Sequence, residues 1–461
     1  MRFETKRKLP YTNSVVNTGS PEGALNNLLA KEVFNMHYTQ EEKIEQVTES
    51  TLVVGVDIGS QKQYARAFDW RGREISRKAF TFADCGSGYT LFSTWIYEMQ
   101  ARLGLDKVIV GVEPTGHYWF GLAQYLESTQ IQLVLVNPLH VKQSKELDDG
   151  SQTKNDNKDP KVIAKLVIEG RYTFPYRPKG VYADLRNVWN VREAISKDLT
   201  VCKNKLKRWI KVYFPEYVNV FKDPDAKSSL LLLEHVALPE DIVSLGAEGV
   251  NKIWRDAKIR GVGMKRATTL VAAAKDSIGQ KEGADGARTD LKFLLEDYAL
   301  KRRQFEDVKA KIELLCDKIP ETKQLLAING IGLTTVAGFF AEAGDIRRFD
   351  SPKEIIKLAG LNLRENSSGK HKGQTTITRR GRARLRKVIF KGVIPLLASN
   401  EEFKQLHEYY TTRKQNPLKK KQSVVAVGCK LVRVFWGVTR SGKAYDGQKM
   451  LKDIHRQLPA A

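Results

Sequence analysis

The segment LVVGVDIG, residues 52–59, is rich in β-branched residues and ends in an acidic residue and a glycine. This composition predicts a β-strand that stops at Asp57 and Gly59. A second segment of the same form, KVIVGVEP at residues 107–114, ends in Glu113. Helical stretches alternate with such strands up to about residue 171, which indicates an α/β domain with a mixed sheet.

The first three strands are expected to form a meander, because two β-rich runs follow the opening strand around an Arg-Gly turn. The full set of predicted elements after residue 59 is strands over 64–70 and 74–82, a helix near 88–103, the strand over 107–114, a helix from about His117, a strand over 131–138 and a helix beginning near Pro160.

The chain is strongly basic. Its 461 residues carry 77 Lys and Arg against 53 Asp and Glu, a net charge of +24. That excess points to a polyanionic partner. A hydrophobic content of 41% excludes wholesale disorder. With no apolar run long enough to span a bilayer and no visible secretory signal, we expect no membrane partner and a cytoplasmic location.

Cysteine and histidine spacing argues against a zinc module. The four cysteines lie far apart in sequence, and the seven histidines form no ligand pattern. Reduced thiols are therefore expected. We expect any metal to be held by carboxylates, and no organic cofactor.

The positive charge is concentrated near the C-terminus. Residues 361–461 hold 23 Lys and Arg against 6 Asp and Glu, and residues 369–391 hold nine cations and no acid. A solvated helix face is the ordinary explanation of a charge run, but such a face usually mixes both signs. The stretch therefore favours contact with a nucleic-acid backbone. The candidate residues are Lys370, Lys372, Arg379, Arg380, Arg382, Arg384 and Arg386.

Residues 180–330 are predicted to be mainly helical. Between Leu291 and Ile319, apolar residues recur at alternating steps of three and four, with one gap near Arg302. This spacing suits a coiled-coil seam on a long arm that contacts another subunit. One helix of an ordinary bundle explains it equally well.

Two short segments resemble each other, IRGVGMKRATTLV at 259–271 and INGIGLTTVAGFF at 328–340. Both have the pattern of a helix-hairpin-helix, in which glycine lets backbone N–H groups at a helix start approach a phosphate. In the second copy the candidates are Gly330 and Gly332. A plain structural turn is the alternative for either segment.

Four acids are candidate metal ligands: Asp57 and Glu113 at strand ends, and Asp156 and Asp159 at a helix start. Carboxylates at one edge of a sheet suit Mg²⁺ or Mn²⁺ and phosphodiester chemistry. Singly, each acid has a structural alternative. Asp57 also suits the turn of sugar-kinase and actin-like ATPases, and Asp159 before Pro160 suits a helix cap.

Several motifs resemble the RuvC-like DEDD transposases of the IS-one-ten (IS110) insertion-sequence family, relatives of the Piv invertase. The resemblance covers roughly residues 52–172 and 320–440. Its motifs are, in order, GVDIGSQ, GVEPTGHYW, KNDNKDPKVIAKL, INGIGLTTVAGFFAEAGD, LAGLNLRENSSGKHKGQTTITRRGRARLRKVIF and YYTTRKQNPLKKKQSVVAVGCKLVRVFWGV.

The resemblance implies an RNase H-like (RuvC-like) domain whose metal site maps onto Asp57, Glu113, Asp156 and Asp159. It also implies a C-terminal transposase domain, mostly α-helical, whose nucleophilic serine maps onto Ser367, with Ser368 as the fallback. The family joins the two domains across subunits, forms a covalent 5′-phosphoserine intermediate, exchanges DNA strands and is guided by a bridge RNA. A homodimer or homotetramer is thus expected, with donor and target DNA as partners.

The expected domains are a polar extension (1–50), the RuvC-like domain (51–175), a helical region with a possible insertion (176–320), the transposase domain (321–445) and a tail (446–461). Pro160 departs from the family pattern, and residues 215–290 match none of its motifs. Two rival functions remain. One is a metal-dependent junction nuclease that hydrolyses with water, and the other is a non-catalytic nucleic-acid-binding protein.

Overall fold

A computed structural model describes residues 38–76, 78–149, 158–364, 367–368, 371–373, 375–452 and 454. Only the backbone is described at 146–149, 367–368 and 371–372. The chain forms two compact units, one ending at Arg177 and the other beginning at Pro178.

The first unit contains a six-stranded mixed sheet with the order β3-β2-β1-β4-β5-β6. Strands β1, β2 and β3 form an antiparallel meander, β4 and β5 run parallel to β1, and β6 is antiparallel to β5. The order 3-2-1-4-5 of the first five strands is that of an RNase H-like fold, which confirms the predicted class. The strands are β1 Thr51–Ile58, β2 Lys62–Phe68, β3 Phe80–Ala83, β4 Lys107–Val112, β5 Gln132–Val136 and β6 Tyr172–Thr173.

Helices cover both faces of this sheet. Alternate residues of a strand point to opposite faces, so Val54 of β1 packs in the core that contains side chains of α2 and α3, whereas Val53 packs in the core of α5. The helices of the unit are α1 Gln40–Glu45, α2 Gly86–Leu103, α3 Trp119–Ser128, α4 Pro138–Asp149 and α5 Asp159–Ile168.

Two predictions in this unit are wrong in detail. The predicted strand over 74–82 is paired as a strand only from Phe80, with a single isolated bridge between Glu74 and Phe68. After that bridge, Ala67 N donates to the Ser76 side-chain hydroxyl at 3.0 Å in place of a backbone carbonyl, so the regular ladder stops there.

Helix α4 was not predicted, because the apolar run over 131–138 was assigned to one strand. That strand ends at Val136, and the Asn137 side chain accepts a hydrogen bond from Leu139 N at the start of α4. Asn followed by Pro is a helix-start signal that could have revealed α4.

The second unit is built on two long helices, α6 Gly180–Tyr213 and α11 Ala284–Cys316, which lie antiparallel. Near the end of α6, Trp209 Nε1 donates to Ala287 O at the start of α11, at 3.0 Å. Nearer the start of α6, the Arg192 guanidinium lies 5.2 Å from the Phe305 ring centre. The predicted helical middle is confirmed.

The predicted seam on α11 packs against α6 of the same chain. Leu291 lies in a core with Trp209, and Leu315 lies in a core with Leu185. The buried face of α11 therefore agrees with the ordinary-bundle alternative, and a subunit contact through an arm stays a prediction.

Four shorter helices between α6 and α11 share one of these cores. The indole of Trp254 is fully buried and donates to Ser228 O at 3.0 Å, and the Tyr217 hydroxyl lies 2.8 Å from Ser229 Oγ. Each buried polar atom named here has a partner, as a stable core requires. The helices are α7 Tyr217–Val220, α8 Lys227–His235, α9 Pro239–Asp256 and α10 Met264–Lys275.

The remaining residues form a helical region around α13, whose side chains at Val336, Phe339 and Phe340 are buried. Two small antiparallel strand pairs, β7 with β10 and β8 with β9, interrupt the helices. The elements are α12 Glu321–Leu326, α13 Leu333–Ala343, a 3₁₀ turn Ile346–Arg348, α14 Pro352–Leu358, β7 Leu363–Arg364, β8 Ser367–Ser368, β9 His371–Lys372, β10 Thr376–Ile377, α15 Ala383–Ser399, α16 Glu401–Thr412, α17 Lys420–Ser441 and α18 Gly447–Leu451. Within the described residues, no helix combines the length and apolar character that a membrane span needs.

Candidate active site

The register of β1 and β4 places two acids side by side. The strands are parallel, with Gly55 opposite Gly111 and Val56 opposite Val112. One residue further along, Asp57 and Glu113 follow at the carboxyl ends of the two strands. Ligands of open α/β sheets bind at such edges.

The paired glycines Gly55 and Gly111 let helix α5 lie directly on the sheet. A Cβ atom at Gly55 would overlap the carbonyl oxygen of Pro160, and one at Gly111 would overlap a methyl group of Val167. Because side chains two residues apart on a strand share a face, Asp57 projects to the same side of the sheet as α5. The glycines thus bring the start of α5 close to the acids.

Asp159 is the first residue of α5 and is 6% exposed. Its carboxylate forms an ion pair with the ammonium group of Lys145 on α4. The residue before α5 is Lys158, and no side chain caps this helix. The capping interpretation of Asp159 is therefore wrong, because Asp159 is itself the first helical residue and not the residue before the helix.

Electrostatics link the three carboxylates and the lysine. Burial raises the pKa of Glu113, the nearby charge of Lys145 lowers it, and the charges of Asp57 and Asp159 raise it further. Like charges that share a site disfavour each other's ionised form, and a cation relieves that repulsion. A divalent cation placed among these carboxylates would relieve their repulsion.

The fourth predicted acid, Asp156, lies outside the described residues. Among the residues that the structure describes, no group of three or more His, Cys, Asp or Glu side chains is arranged to hold a metal ion. The donors of Asp57, Glu113 and Asp159 are nonetheless all hard oxygens, the class that Mg²⁺ and Mn²⁺ prefer. Their chemistry fits the implied metal.

Two residues of this site were missed in the sequence. Lys145 lies on the unpredicted helix α4. Gln63 is fully buried, its Oε1 accepts from Gly59 N at 2.8 Å, and its Nε2 donates to Gly59 O at 3.1 Å. These bonds hold the turn that follows Asp57. A polar residue at an inward position of a strand was the available signal for Gln63.

The two serines lie on β8, in the second unit. Ser367 pairs with Lys372 and Ser368 with His371 across an antiparallel ladder. The tandem serines thus lie on a small strand pair, with His371 and the predicted contact residue Lys372 on the opposing strand. Lys370 is outside the described residues.

The arginines that follow divide into two groups. Arg379 and Arg380 are exposed, and Arg379 has a positive φ of 55°. The other three bind protein groups: Arg382 Nη1 donates to Glu342 O at 2.5 Å, Arg386 Nη1 donates to Ala359 O at 2.7 Å, and Arg384 donates to Asn190. The nucleic-acid role of all five stays a prediction.

Two family models match this chain in series. One, described as a transposase and named for the DEDD transposases of IS110, matches residues 54–215. The other, described as the IS116/IS110/IS902 transposase family, matches residues 322–410. The chain belongs to the IS110/IS116/IS902 family. The predicted resemblance is confirmed, and the RuvC-like unit carries the acid cluster described above.

Individual relatives of this IS110-family chain match it over shorter lengths. Protein y4rJ of Sinorhizobium fredii, provisionally named a transposase, is 31% identical over 134 residues, 28% of this chain and 33% of the relative. The 42 kDa protein of insertion element IS900 from Mycobacterium paratuberculosis is 24% identical over 295 residues, 63% of this chain and 73% of the relative. A pilin gene-inverting protein of Moraxella bovis is 29% identical over 124 residues, 26% of this chain and 38% of the relative.

The matched part therefore spans only about a third of the first of these relatives. Between the two family models, residues 216–321 are unmatched. This interval contains helices α7 to α11. It also contains segment 259–271, the first of the two glycine hairpins, as we call the helix-hairpin-helix-like segments 259–271 and 328–340.

Proposed function

We propose that this chain is a DNA transposase that cuts and rejoins DNA strands through a covalent phosphoserine. The observation that carries the proposal is the placement of Asp57, Glu113 and Asp159 at one edge of an RNase H-like sheet, where Lys145 pairs with Asp159 and its charge acts on Glu113. Membership of the IS110/IS116/IS902 family supports the same activity.

Asp57, Glu113 and Asp159, together with Asp156, are proposed to hold Mg²⁺ or Mn²⁺. Such a metal supplies charge stabilisation at the phosphate and favours deprotonation of the attacking hydroxyl. Within the chain, the fully buried Gln63 keeps the turn after Asp57 in place, and α5 keeps Asp159 close to the sheet. No organic cofactor is needed for this chemistry.

Ser367 is the proposed nucleophile, with Ser368 as the alternative. Its Oγ attacks a DNA phosphorus, the hydroxyl proton leaves to a base, and the bond from phosphorus to the 3′ oxygen breaks. The 3′ oxygen takes a proton, and the 5′ phosphate stays on the serine. Attack by a 3′-hydroxyl of another strand then reverses the step and frees the serine.

The proposed partners are donor and target DNA, a bridge RNA and further copies of this chain, acting in the bacterial cytoplasm. The charge of +24 supports a polyanionic partner. Because Asp57 and Ser367 belong to different compact units, we propose that acids of one copy act with the serine of another, in a dimer or tetramer.

A trapping assay tests this proposal. Purified protein is incubated with RNA transcribed from the flanks of its gene, Mg²⁺ and labelled DNA carrying the element junction, and is then denatured. We expect DNA attached to wild-type protein, and none attached to Asp57→Ala or Ser367→Ala. An adduct that survives Ser367→Ala and disappears in Ser368→Ala would move the nucleophile by one residue.

The rival functions predict other results. A hydrolytic nuclease would cut DNA without an adduct, and its cutting would survive Ser367→Ala but not Asp57→Ala. A non-catalytic binder would retain DNA to the same degree in all variants and cut none. Either pattern would overturn the proposed recombination chemistry.

A further inference from the structure

The two glycine hairpins share a backbone pattern at their glycines but differ before it: Lys258 has a φ of 53°, whereas its counterpart Ala327 has a φ of −68°. Gly261 and Gly330 both have a positive φ, 79° and 86°. Two residues later, Gly263 and Gly332 are extended and directly precede the helices α10 and α13, without a side-chain cap. Because the glycines and the following helices correspond, the two copies can be compared position by position.

The second hairpin is packed into its own unit. A Cβ atom at Gly330 would lie 2.8 Å from Leu396 Cα. Asn329 Nδ2 donates to Ser399 O at 2.6 Å, and Asn400 Nδ2 donates to Asn329 O at 3.3 Å. These bonds tie the loop to the junction of α15 and α16, so the packing of the unit explains this glycine.

The first hairpin is open. A Cβ atom at Gly261 would meet nothing within 4 Å, and the Met264 side chain is 45% exposed. The glycine here is not needed for close packing against another element. It shapes a loop that faces solvent.

The two copies also differ in charge. Residues 252–266 carry six cations and one acid, a net +5, whereas the equivalent residues 321–335 carry one of each. All six cations of the first copy are exposed: Lys252, Arg255, Lys258, Arg260, Lys265 and Arg266. A solvated face usually mixes charges of both signs in similar numbers, whereas here six cations face a single exposed acid, Asp256.

Two of the six cations have roles within the protein. Arg255 donates to Val262 O and so braces the loop, and the Arg266 guanidinium lies 5.7 Å from the Phe221 ring centre. The other four, Lys252, Lys258, Arg260 and Lys265, make no ion pair with any residue that the structure describes.

We propose that this basic hairpin, residues 252–266, binds the phosphate backbone of a nucleic acid. The start of α10, which no side chain caps, and the surrounding exposed cations offer the chemistry that phosphates require. The site lies in the interval that neither family model matches. This proposal rests on the proposed function. It adds a nucleic-acid contact that involves neither the acid cluster nor the serine strand pair.

Three substitutions test the basic hairpin: Lys258→Asn, Arg260→Gln and Lys265→Gln, combined in one full-length variant. Asn is chosen at Lys258 because that residue has a positive φ of 53°, which Asn tolerates. The matched control replaces three exposed lysines of the same unit outside the hairpin, Lys275→Gln, Lys281→Gln and Lys292→Gln.

Binding is measured by fluorescence anisotropy with a labelled DNA duplex and, separately, a labelled RNA stem-loop, over a series of salt concentrations. We expect the hairpin variant to bind one of them at least about tenfold more weakly, and its log–log salt slope to fall by roughly one per lost phosphate contact. The control variant should change affinity and slope less, although it loses the same charge. The nucleic acid that shows the larger loss identifies the ligand.

Equal losses in the hairpin and control variants would overturn the inference, because net charge alone would then explain them. Wild-type binding that persists unchanged in the hairpin variant would also overturn it, while leaving the proposed function intact. A wild-type protein that binds neither nucleic acid would instead contradict the proposed function itself. Circular dichroism and the melting temperature of each variant show whether a loss of binding is a loss of fold.

Discussion

At Gly55 and Gly111, the absence of a side chain determines the geometry of the acid cluster. Both glycines face α5, and the backbone of α5 lies where a Cβ atom at Gly55 would be. Asp57 and Glu113 follow two residues after these glycines. The short Gly-Val-acid pattern therefore contains a proposed metal ligand and, two residues before it, the space that lets α5 bring Asp159 close.

Replacing Gly55 by Ala should damage the site and the fold together. The added methyl group collides with backbone that cannot rotate away, so α5 must shift, and we expect a loss of about 1–3 kcal/mol in the free energy of unfolding. Strand cleavage should fall as well, because Asp159 moves with α5. Thermal unfolding and the trapping assay measure the two effects.

Gly86 provides the matched control, since a Cβ atom there would meet nothing within 4 Å. Gly86→Ala, at the start of α2, should leave stability within about 1 kcal/mol of wild type. If both substitutions cost the same, close packing at Gly55 is not what positions α5.

Lys145 should compete with a divalent metal for Asp159. The Lys145→Met substitution leaves the buried Asp159 carboxylate without its cation, which should cost about 1–3 kcal/mol in metal-free protein. A bound Mg²⁺ replaces the missing charge, so the gain in melting temperature on adding Mg²⁺ should be larger in the variant than in wild type.

Lys142→Met is the control, because Lys142 is exposed on the same helix. It should leave both the metal-free stability and the response to Mg²⁺ near wild type. An equal Mg²⁺ response in wild type and Lys145→Met would mean that the metal does not bind next to Asp159.

At the scale of elements, helix α11 buries one face against α6 and exposes the other. Leu315 is 3% exposed and Leu314, its neighbour, is 61% exposed. The seam of steps of three and four therefore marks the face that α6 covers. The periodicity does not by itself show whether the covering helix belongs to the same chain.

Replacing each of these two leucines by Ala should distinguish the buried face of α11 from its exposed face. Leu315→Ala removes buried contacts and should lower the free energy of unfolding by about 2–4 kcal/mol, whereas Leu314→Ala should change it by less than about 1 kcal/mol. Denaturant unfolding followed by helical circular dichroism measures both. Similar losses at the two positions would contradict the described orientation of α11.

At the scale of the whole molecule, the acid cluster and the serine strand pair lie in separate compact units. The proposed site across two copies predicts complementation between inactive variants. Asp57→Ala supplies an intact serine and Ser367→Ala supplies intact acids, so co-expression should restore adduct formation well above that of either variant alone.

Co-expression of Asp57→Ala with Glu113→Ala is the control, because both variants lack the same part of the site and should stay inactive. If Asp57→Ala and Ser367→Ala together also stay inactive while each remains folded, the acids and the serine of one chain act together. That result would overturn the shared site but not the phosphoserine chemistry.

Much of the fold could be predicted because its signals are local. Strands β1 and β4 follow from β-branched runs, the long helix α11 follows from periodicity, and the placement of Asp57 and Glu113 at one sheet edge follows from where the strands end. The predictions failed where a local signal was ambiguous, as with the Asn-Pro start of α4 inside an apolar run.

The sequence alone was enough to establish the element types, the charge excess, the family resemblance and the acids to test, because propensity, periodicity and charge belong to residues near one another in the chain. The pairing of Lys145 with Asp159 and the contrast between the open hairpin at Gly261 and the packed one at Gly330 came only from the tertiary structure. Both depend on which distant segments pack together. Two hairpins with similar sequences can therefore differ in whether another element packs against their glycine.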